Sequence, residues 1–276
     1  MTTILQYPFT HHPCYADTRN ALWARIHLPV ATYCNVKCIF CDHNLGSSCH
    51  TSKPGYASRV LTPEEAVECA MRELSEDPRL RIVAISGPGE PLANRETYAT
   101  LQGLRDRGMD GRFCLSTNGT LLEEAVGMLC NLDVSTVSVS MSTQSYDIAS
   151  NLYEWATING RILQGANMAR EIVTRQLRGI RTAADAGICV KVNTILIPEL
   201  NGSDIVSLSR RISDVGAQIQ NIVPLISCGA RSSLRAPSTR ELDVARSAAS
   251  SNIRQFMHCR QCRSDVVGIP GSDRVL

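Results

Sequence analysis

With 276 residues, the chain can bury a full core as one large domain or two small ones. Apolar residues make up 43% and charged residues 20%, and a net charge of +2 gives no electrostatic reason to expect a nucleic acid or an anionic membrane as partner. No run of about eighteen apolar residues occurs, and the opening "MTTILQYPFTHHPCYADTRN" lacks a signal peptide's basic start and apolar block, so a cytoplasmic protein is expected.

Taken in chain order, the first strand is predicted over 24–31 (ARIHLPVA), followed by the loop "YCNVKCIFCDHN" with Cys34, Cys38 and Cys41. A helix over 62–76 opens with Thr62-Pro63-Glu64-Glu65, which supplies an N-cap, a proline at the first helical position and acid in the first turn. A strand over 81–87 runs into "GPGEPLAN" (87–94), and a helix is expected over 94–108. The next strand, 112–119, ends in "STNG", with a helix over 121–131 behind it. Residues 134–142 form a strand that runs into "SMSTQS", and a long helix over 162–187 ends at Gly187, a good C-terminal cap. Strand 189–198, helix 203–215 and strand 219–226 complete the series. Strand and helix alternating about six times argues for parallel strands with right-handed crossovers, as an open doubly wound sheet or a complete or partial (β/α) barrel. With no internal repeat or low-complexity linker, a single domain over 1–276 is expected, with a core over about 22–230 and extensions at 1–21 and 231–276. The unusual turns all follow strands, and in a barrel they would gather at the C-terminal mouth, where such folds keep their active sites.

Twelve cysteines need explaining. A disulfide framework suits short secreted domains, whereas clustered cysteines in a reducing compartment more often bind metal. Cys69, Cys130 and Cys189 sit in apolar surroundings and are expected to be small buried hydrophobes, with Cys228 a spectator. Cys14, Cys34, Cys38, Cys41, Cys49, Cys259 and Cys262 lie in loop-like sequence and are ligand candidates. C-x3-C-x2-C after a strand suits three corners of a cubic iron–sulfur cluster, leaving one iron without a protein ligand. Zinc would instead need paired C-x-x-C units or a histidine, for which His43 is at hand. Cys259-x-x-Cys262 reads as metal-binding, with a redox pair as its competitor. Cys114 and His27, taken alone, fit core packing as well as ligation.

With Phe40 just before the last cysteine of the triad, the loop resembles that of the radical S-adenosylmethionine (radical SAM) superfamily. "GPGEP" is similar to that superfamily's Gly-Gly-Glu-Pro turn. The resemblance implies a partial (β/α)6 TIM-like barrel carrying cluster-binding N- and C-terminal extensions. It implies a [4Fe–4S] cluster on Cys34, Cys38 and Cys41 that binds SAM at its open iron and delivers an electron to cleave it. It also places SAM against Phe40, Gly89, Glu90, Ser116, Thr117, Asn118, Ser140 and Asn193, with residues 192–195 near the adenine.

Together, "HPCY", "ARIHLPVA", "GPGEPLAN", "LSTNG", "VKVNTILIP", "NIVPLI" and "HCRQCRSDVVG" resemble the NifB family of nitrogenase-cofactor maturases, from about residue 11 to residue 271. That resemblance implies a short stand-alone form with two further [4Fe–4S] clusters as substrates. Carried over by position, Cys14, His27, Cys49 and Cys114 would hold one, and Cys259 and Cys262 the other. One SAM would donate a methyl group to a cluster sulfide and a second would supply the radical. The carbon would become a carbide as the clusters fuse, with an added sulfur, into an [8Fe–9S–C] precursor. The implied partners are an iron–sulfur cluster donor, a carrier or scaffold for the product and a reductant such as a ferredoxin, with the chain a monomer. Arg260 and Arg263 would offset cluster charge. The sequence departs from the family after the triad: Cys49 comes eight positions after Cys41 rather than six, and "HTSKPG" (50–55) lacks a glutamate. The family's asparagine is also replaced around Ser142, and His43 or His50 is available for a changed role. The alternatives are a NifB-like relative making another cluster, a radical SAM enzyme whose auxiliary clusters serve a peptide or small-molecule reaction, and a non-catalytic iron–sulfur scaffold.

Overall fold

The computed structural model describes residues 7–41, 55–226 and 234–276, so Cys49, Cys228, His43 and His50 lie outside the described residues. The first half runs β1 (Ala24–His27), β2 (Val36–Cys38), α1 (Pro63–Glu76), β3 (Leu80–Ile85), α2 (Arg95–Asp106), β4 (Arg112–Thr117), α3 (Leu122–Asn131) and β5 (Val134–Ser140). The second runs α4 (Tyr146–Leu152), β6 (Tyr153–Ile158), β7 (Arg161–Leu163), α5 (Gly165–Asp185), β8 (Cys189–Leu196), α6 (Pro198–Asn201), α7 (Ile205–Asp214), β9 (Ile219–Pro224), α8 (Thr239–Ala249), β10 (Val266–Gly268) and β11 (Arg274–Val275).

Strands β1, β3, β4, β5, β8 and β9 lie side by side in that order, all parallel. These are the six strands expected from the sequence, arranged as a partial barrel. Its two edges do not meet: β10 and β11 extend the sheet antiparallel beyond β1, while β9 is flanked by a single bridge between Gln220 and Gln255. One face of the wall packs on the helices. There Val83, Ile85, Phe113, Leu115, Val137, Val139, Val190 and Val192 join one continuous core with the inward stripes of α1, α2, α3 and α5. α1 begins where expected, with Thr62 and Glu65 forming a reciprocal capping box. α5 begins later than expected because Arg161–Leu163 is taken by a hairpin with β6, turned at Asn159 and Gly160, both at positive φ. β2 joins that hairpin as a small side sheet, which anchors the cysteine loop to the barrel.

The opposite face lines the barrel interior, with Cys114 and Ser116 alternating against Phe113 and Leu115 on β4. The segment before β1 fills the floor: Tyr15 is fully buried and its hydroxyl donates to the Val137 carbonyl at 3.0 Å. Cys69 is buried as expected. Cys130 is exposed, contrary to expectation, because Leu122, Ala125, Val126 and Leu129 form the inward stripe of α3 and Cys130 falls about 90° from its centre. Cys189 is half-buried rather than buried, since it opens β8 at the floor among Phe9, Tyr15 and Phe256. Among the described residues no helix is long and apolar enough to cross a membrane.

Candidate functional site

At the C-terminal ends of the strands lies a cavity of about 330 Å³, lined by Cys34, Phe40, Glu90, Ser116, Ser140 and Asn193, among others. The cysteine loop is held to this mouth by short polar side chains. Asn94 is the principal clamp: its Oδ1 accepts from the Thr32 and Tyr33 amides at 3.2 and 3.1 Å. Its Nδ2 donates to the Tyr33 and Glu90 carbonyls at 2.8 and 2.7 Å. Asn94 thus precedes α2 without capping it, because its side chain is spent on the residues before Cys34. Asn35 makes a second tie, donating to Thr120 Oγ1 at 2.9 Å and accepting from Asn118 Nδ2 at 2.9 Å.

The glycine-rich turn packs directly on the loop. A Cβ at Gly89 would lie 2.4 Å from the Tyr33 carbonyl oxygen, so this close approach of two backbones requires glycine. The Gly89 and Glu90 amides donate to the Ala31 and Tyr33 carbonyls at 2.6 and 2.8 Å. The Glu90 carboxylate turns inward: one oxygen accepts from Thr117 Oγ1 and the Leu92 amide, the other from the Asn118 amide at 2.5 Å. Burial pushes this carboxyl up to about 7 against those bonds. Glu90 and Thr117 therefore spend their side chains on joining two mouth turns. Asn193, which lines the cavity, accepts through Oδ1 from Asn221 Nδ2 at 2.9 Å.

Burial pushes the Cys34 thiol up to about 12 and Cys38 well above its ordinary value. Such thiols remain protonated until a metal displaces the proton. Among the described residues no group of three or more His, Cys, Asp or Glu side chains is placed to hold a single metal ion. A cluster takes its thiolates at separate iron corners, and three thiols around one cavity wall fit that donor set.

A second group faces the same cavity: Cys14 from the floor segment, His27 at the end of β1, and Cys259 and Cys262 from the chain before β10. His27 Nδ1 lies 3.0 Å from the Arg263 carbonyl, which only accepts, so the hydrogen-bond network puts the proton on Nδ1 and a lone pair on Nε2. Burial, then the Arg25 charge, hold His27 down to about 3, which keeps it in the neutral form that ligates metals. Burial pushes Cys262 up to about 11.

Of the residues expected from the sequence, Cys14, His27, Cys34, Cys38, Phe40, Cys41, Gly89, Glu90, Ser116, Thr117, Asn118, Ser140, Asn193, Cys259 and Cys262 all line this cavity. Cys114 does not. It lies one rung below Ser116, packed with Ile82, Ala84, Tyr7 and Trp23. Arg260 reaches the cavity, whereas Arg263 is turned to Asp265, with bonds of 2.7 and 2.6 Å. Asn94, Tyr153, Lys191 and Asn221 were not singled out from sequence. Lys191 and Asn221 had a signal, since both are polar positions on strands whose alternation points them inward.

The sequence matches the Radical SAM superfamily over residues 28–212. It is 37% identical to "FeMo cofactor biosynthesis protein NifB" of Klebsiella pneumoniae, over 95% of this chain and 58% of that protein. It is 36% identical to the protein of the same description from Methanocaldococcus jannaschii, over 96% of this chain and 88% of that one. The chain is a radical SAM protein of the NifB family. As such it uses a SAM-binding [4Fe–4S] cluster and SAM. The chain spans less than two thirds of the Klebsiella NifB and most of the Methanocaldococcus NifB. Among solved structures, Streptococcus suis SuiB bound to S-adenosylmethionine superposes with a TM-score of 0.61 over 84% of this chain and 49% of SuiB. At 14% identity that likeness establishes the fold shared with this NifB-family chain, and nothing about substrate.

Proposed function

We propose that the chain is a nitrogenase-cofactor maturase. It joins two [4Fe–4S] substrate clusters, with a SAM-derived carbide and one added sulfur, into an [8Fe–9S–C] precursor. One observation carries the reading: the cysteine triad and the group Cys14, His27, Cys259 and Cys262 face a single cavity. Cys34, Cys38 and Cys41 would hold the SAM cluster, which when bound supplies the electron that cleaves SAM. Gly89 gives the mouth turn its close seat on the cysteine loop, and Glu90, Thr117 and Asn118 lock the neighbouring turn to it. Ser116, Ser140 and Asn193 offer hydrogen bonds to the ribose and methionine of SAM, and Phe40 offers an apolar wall.

The substrate clusters would be held by Cys14, His27, Cys49 and, from one rung below the cavity, Cys114, and by Cys259 and Cys262. A cluster that must leave as product is better served by a neutral imidazole and a two-thiol site than by a closed set of four thiolates. A cluster donor, a product carrier or scaffold and a reductant such as a ferredoxin complete the reaction. Anaerobic reconstitution should load roughly twelve irons per chain, from three four-iron clusters. Turnover with SAM and dithionite should then release the substrate iron to a carrier and leave the SAM cluster behind. A chain that loads only about four irons, or that keeps its auxiliary iron through repeated turnovers, contradicts the proposal.

A further inference from the structure

Lys191 lies on the same face of β8 as Asn193 two residues on, and both line the cavity. It is only 4% exposed. Its Nζ donates to the Cys14 carbonyl at 3.1 Å and sits over the rings of Tyr15 and Phe256, at 4.8 and 5.5 Å from their centroids. Among the described residues it meets no carboxylate. Its buried neighbour Arg25, by contrast, is matched by Asp273 and the Gly268 carbonyl, each at 2.6 Å. A buried cation without a counter-ion is costly, and one carbonyl and two ring faces compensate it only in part. A methionine would fill the same volume without that cost. The charge is therefore surplus to the packing, and it faces the part of the cavity where Cys14 offers a thiol.

We propose that Lys191 is the charge partner of the iron–sulfur unit held from Cys14, stabilising its reduced, more negative form and so setting its reduction potential. The inference rests on the substrate-cluster reading above. The step it governs is a one-electron reduction by the external reductant, in which no bond forms or breaks. The test is a potentiometric titration of reconstituted full-length protein, followed by electron paramagnetic resonance, in wild type, Lys191→Met and Lys191→Arg. The SAM-cluster signal serves as internal reference. The expected result is an auxiliary midpoint displaced to more negative potential in Lys191→Met and restored toward wild type in Lys191→Arg, with the SAM-cluster midpoint unmoved. Loss of auxiliary iron in Lys191→Met but not in Lys191→Arg supports the same role. An unchanged midpoint with auxiliary iron retained in Lys191→Met overturns it, as does an equal shift or an equal loss in both variants. If wild type itself loads no auxiliary iron, the substrate-cluster reading fails and this inference fails with it. That outcome is distinguishable because it precedes any substitution.

Discussion

Replacing Asn94 by alanine removes the clamp that holds the cysteine loop to the barrel mouth. Four backbone groups lose a partner, but not equally. The Tyr33 carbonyl still accepts from the Glu90 amide at 2.8 Å, and the Glu90 carbonyl still accepts from the Ala93 amide at 3.1 Å. The Thr32 and Tyr33 amides have Asn94 Oδ1 as their partner, at 3.2 and 3.1 Å, and become orphaned donors. Two orphaned, part-buried donors at about 1–3 kcal/mol each, less what loop movement and the water that reaches exposed Tyr33 recover, give an expected loss of roughly 1–3 kcal/mol. Much of that loss would be confined to the loop, so cluster retention should suffer more than global stability. Two measurements read it: urea unfolding of the apoprotein, and iron retained after anaerobic reconstitution and desalting. Asn94→Asp is the informative second variant, since it keeps an acceptor for the two amides but sets a carboxylate against two carbonyls. If Asn94→Ala unfolds within about 0.5 kcal/mol of wild type and keeps its SAM-cluster iron, the clamp argument is wrong.

Further outcomes are expected elsewhere. Gly89→Ala should abolish SAM cleavage, because its Cβ meets the Thr32 and Tyr33 backbone at 2.4, 2.7 and 2.9 Å, and backbone cannot swing away. Glu90→Gln should cost SAM cleavage and leave the helices intact by circular dichroism, since it must find acceptors for an added NH2 where Thr117, Leu92 and Asn118 all donate. Burial draws the Asp265 carboxyl up, but the Arg263 guanidinium and the Ser58 amide together hold it below 3.8. A depressed folded value means stability that is present above the unfolded pKa and lost as pH falls through the folded one. The gap between wild type and Asp265→Asn in thermal unfolding should therefore be full above about pH 5 and shrink below 3.8. A gap that widens on acidification would reverse this sign. Cys130→Ser, on an exposed helix face, should change neither stability nor iron content.

The alternation of strands and helices was legible because each crossover is local: a β-branched run, a polar turn, a capped helix. The mouth was legible for the same reason, since turns that follow parallel strands must meet at one end. What the pattern hid was what side chains do once they meet. Glu90 and Thr117 line the cavity, and the pattern did not reveal that they also bond each other across two turns that are 27 residues apart in the chain. Cys114 and Ser116 share a strand face, but strand rise sets one below the cavity. Some signals were present and unread: Asn159-Gly160 between two short apolar runs is a hairpin turn, and Ser238 with Glu241 is a capping box that starts α8. Cys130 was misplaced because apolar neighbours in sequence do not fix which way a helical residue faces.

The central claim is that carbon from SAM ends inside a fused cluster. Anaerobic incubation with SAM labelled in its methyl carbon, plus dithionite and both substrate clusters, tests it most directly. The expected result is formation of S-adenosylhomocysteine and 5′-deoxyadenosine together with label in an acid-extractable cluster, and Cys259→Ser/Cys262→Ser should lose the label while keeping the SAM-cluster signal. Both nucleoside products with no label in any cluster would contradict the claim and leave a radical SAM protein that acts on something else.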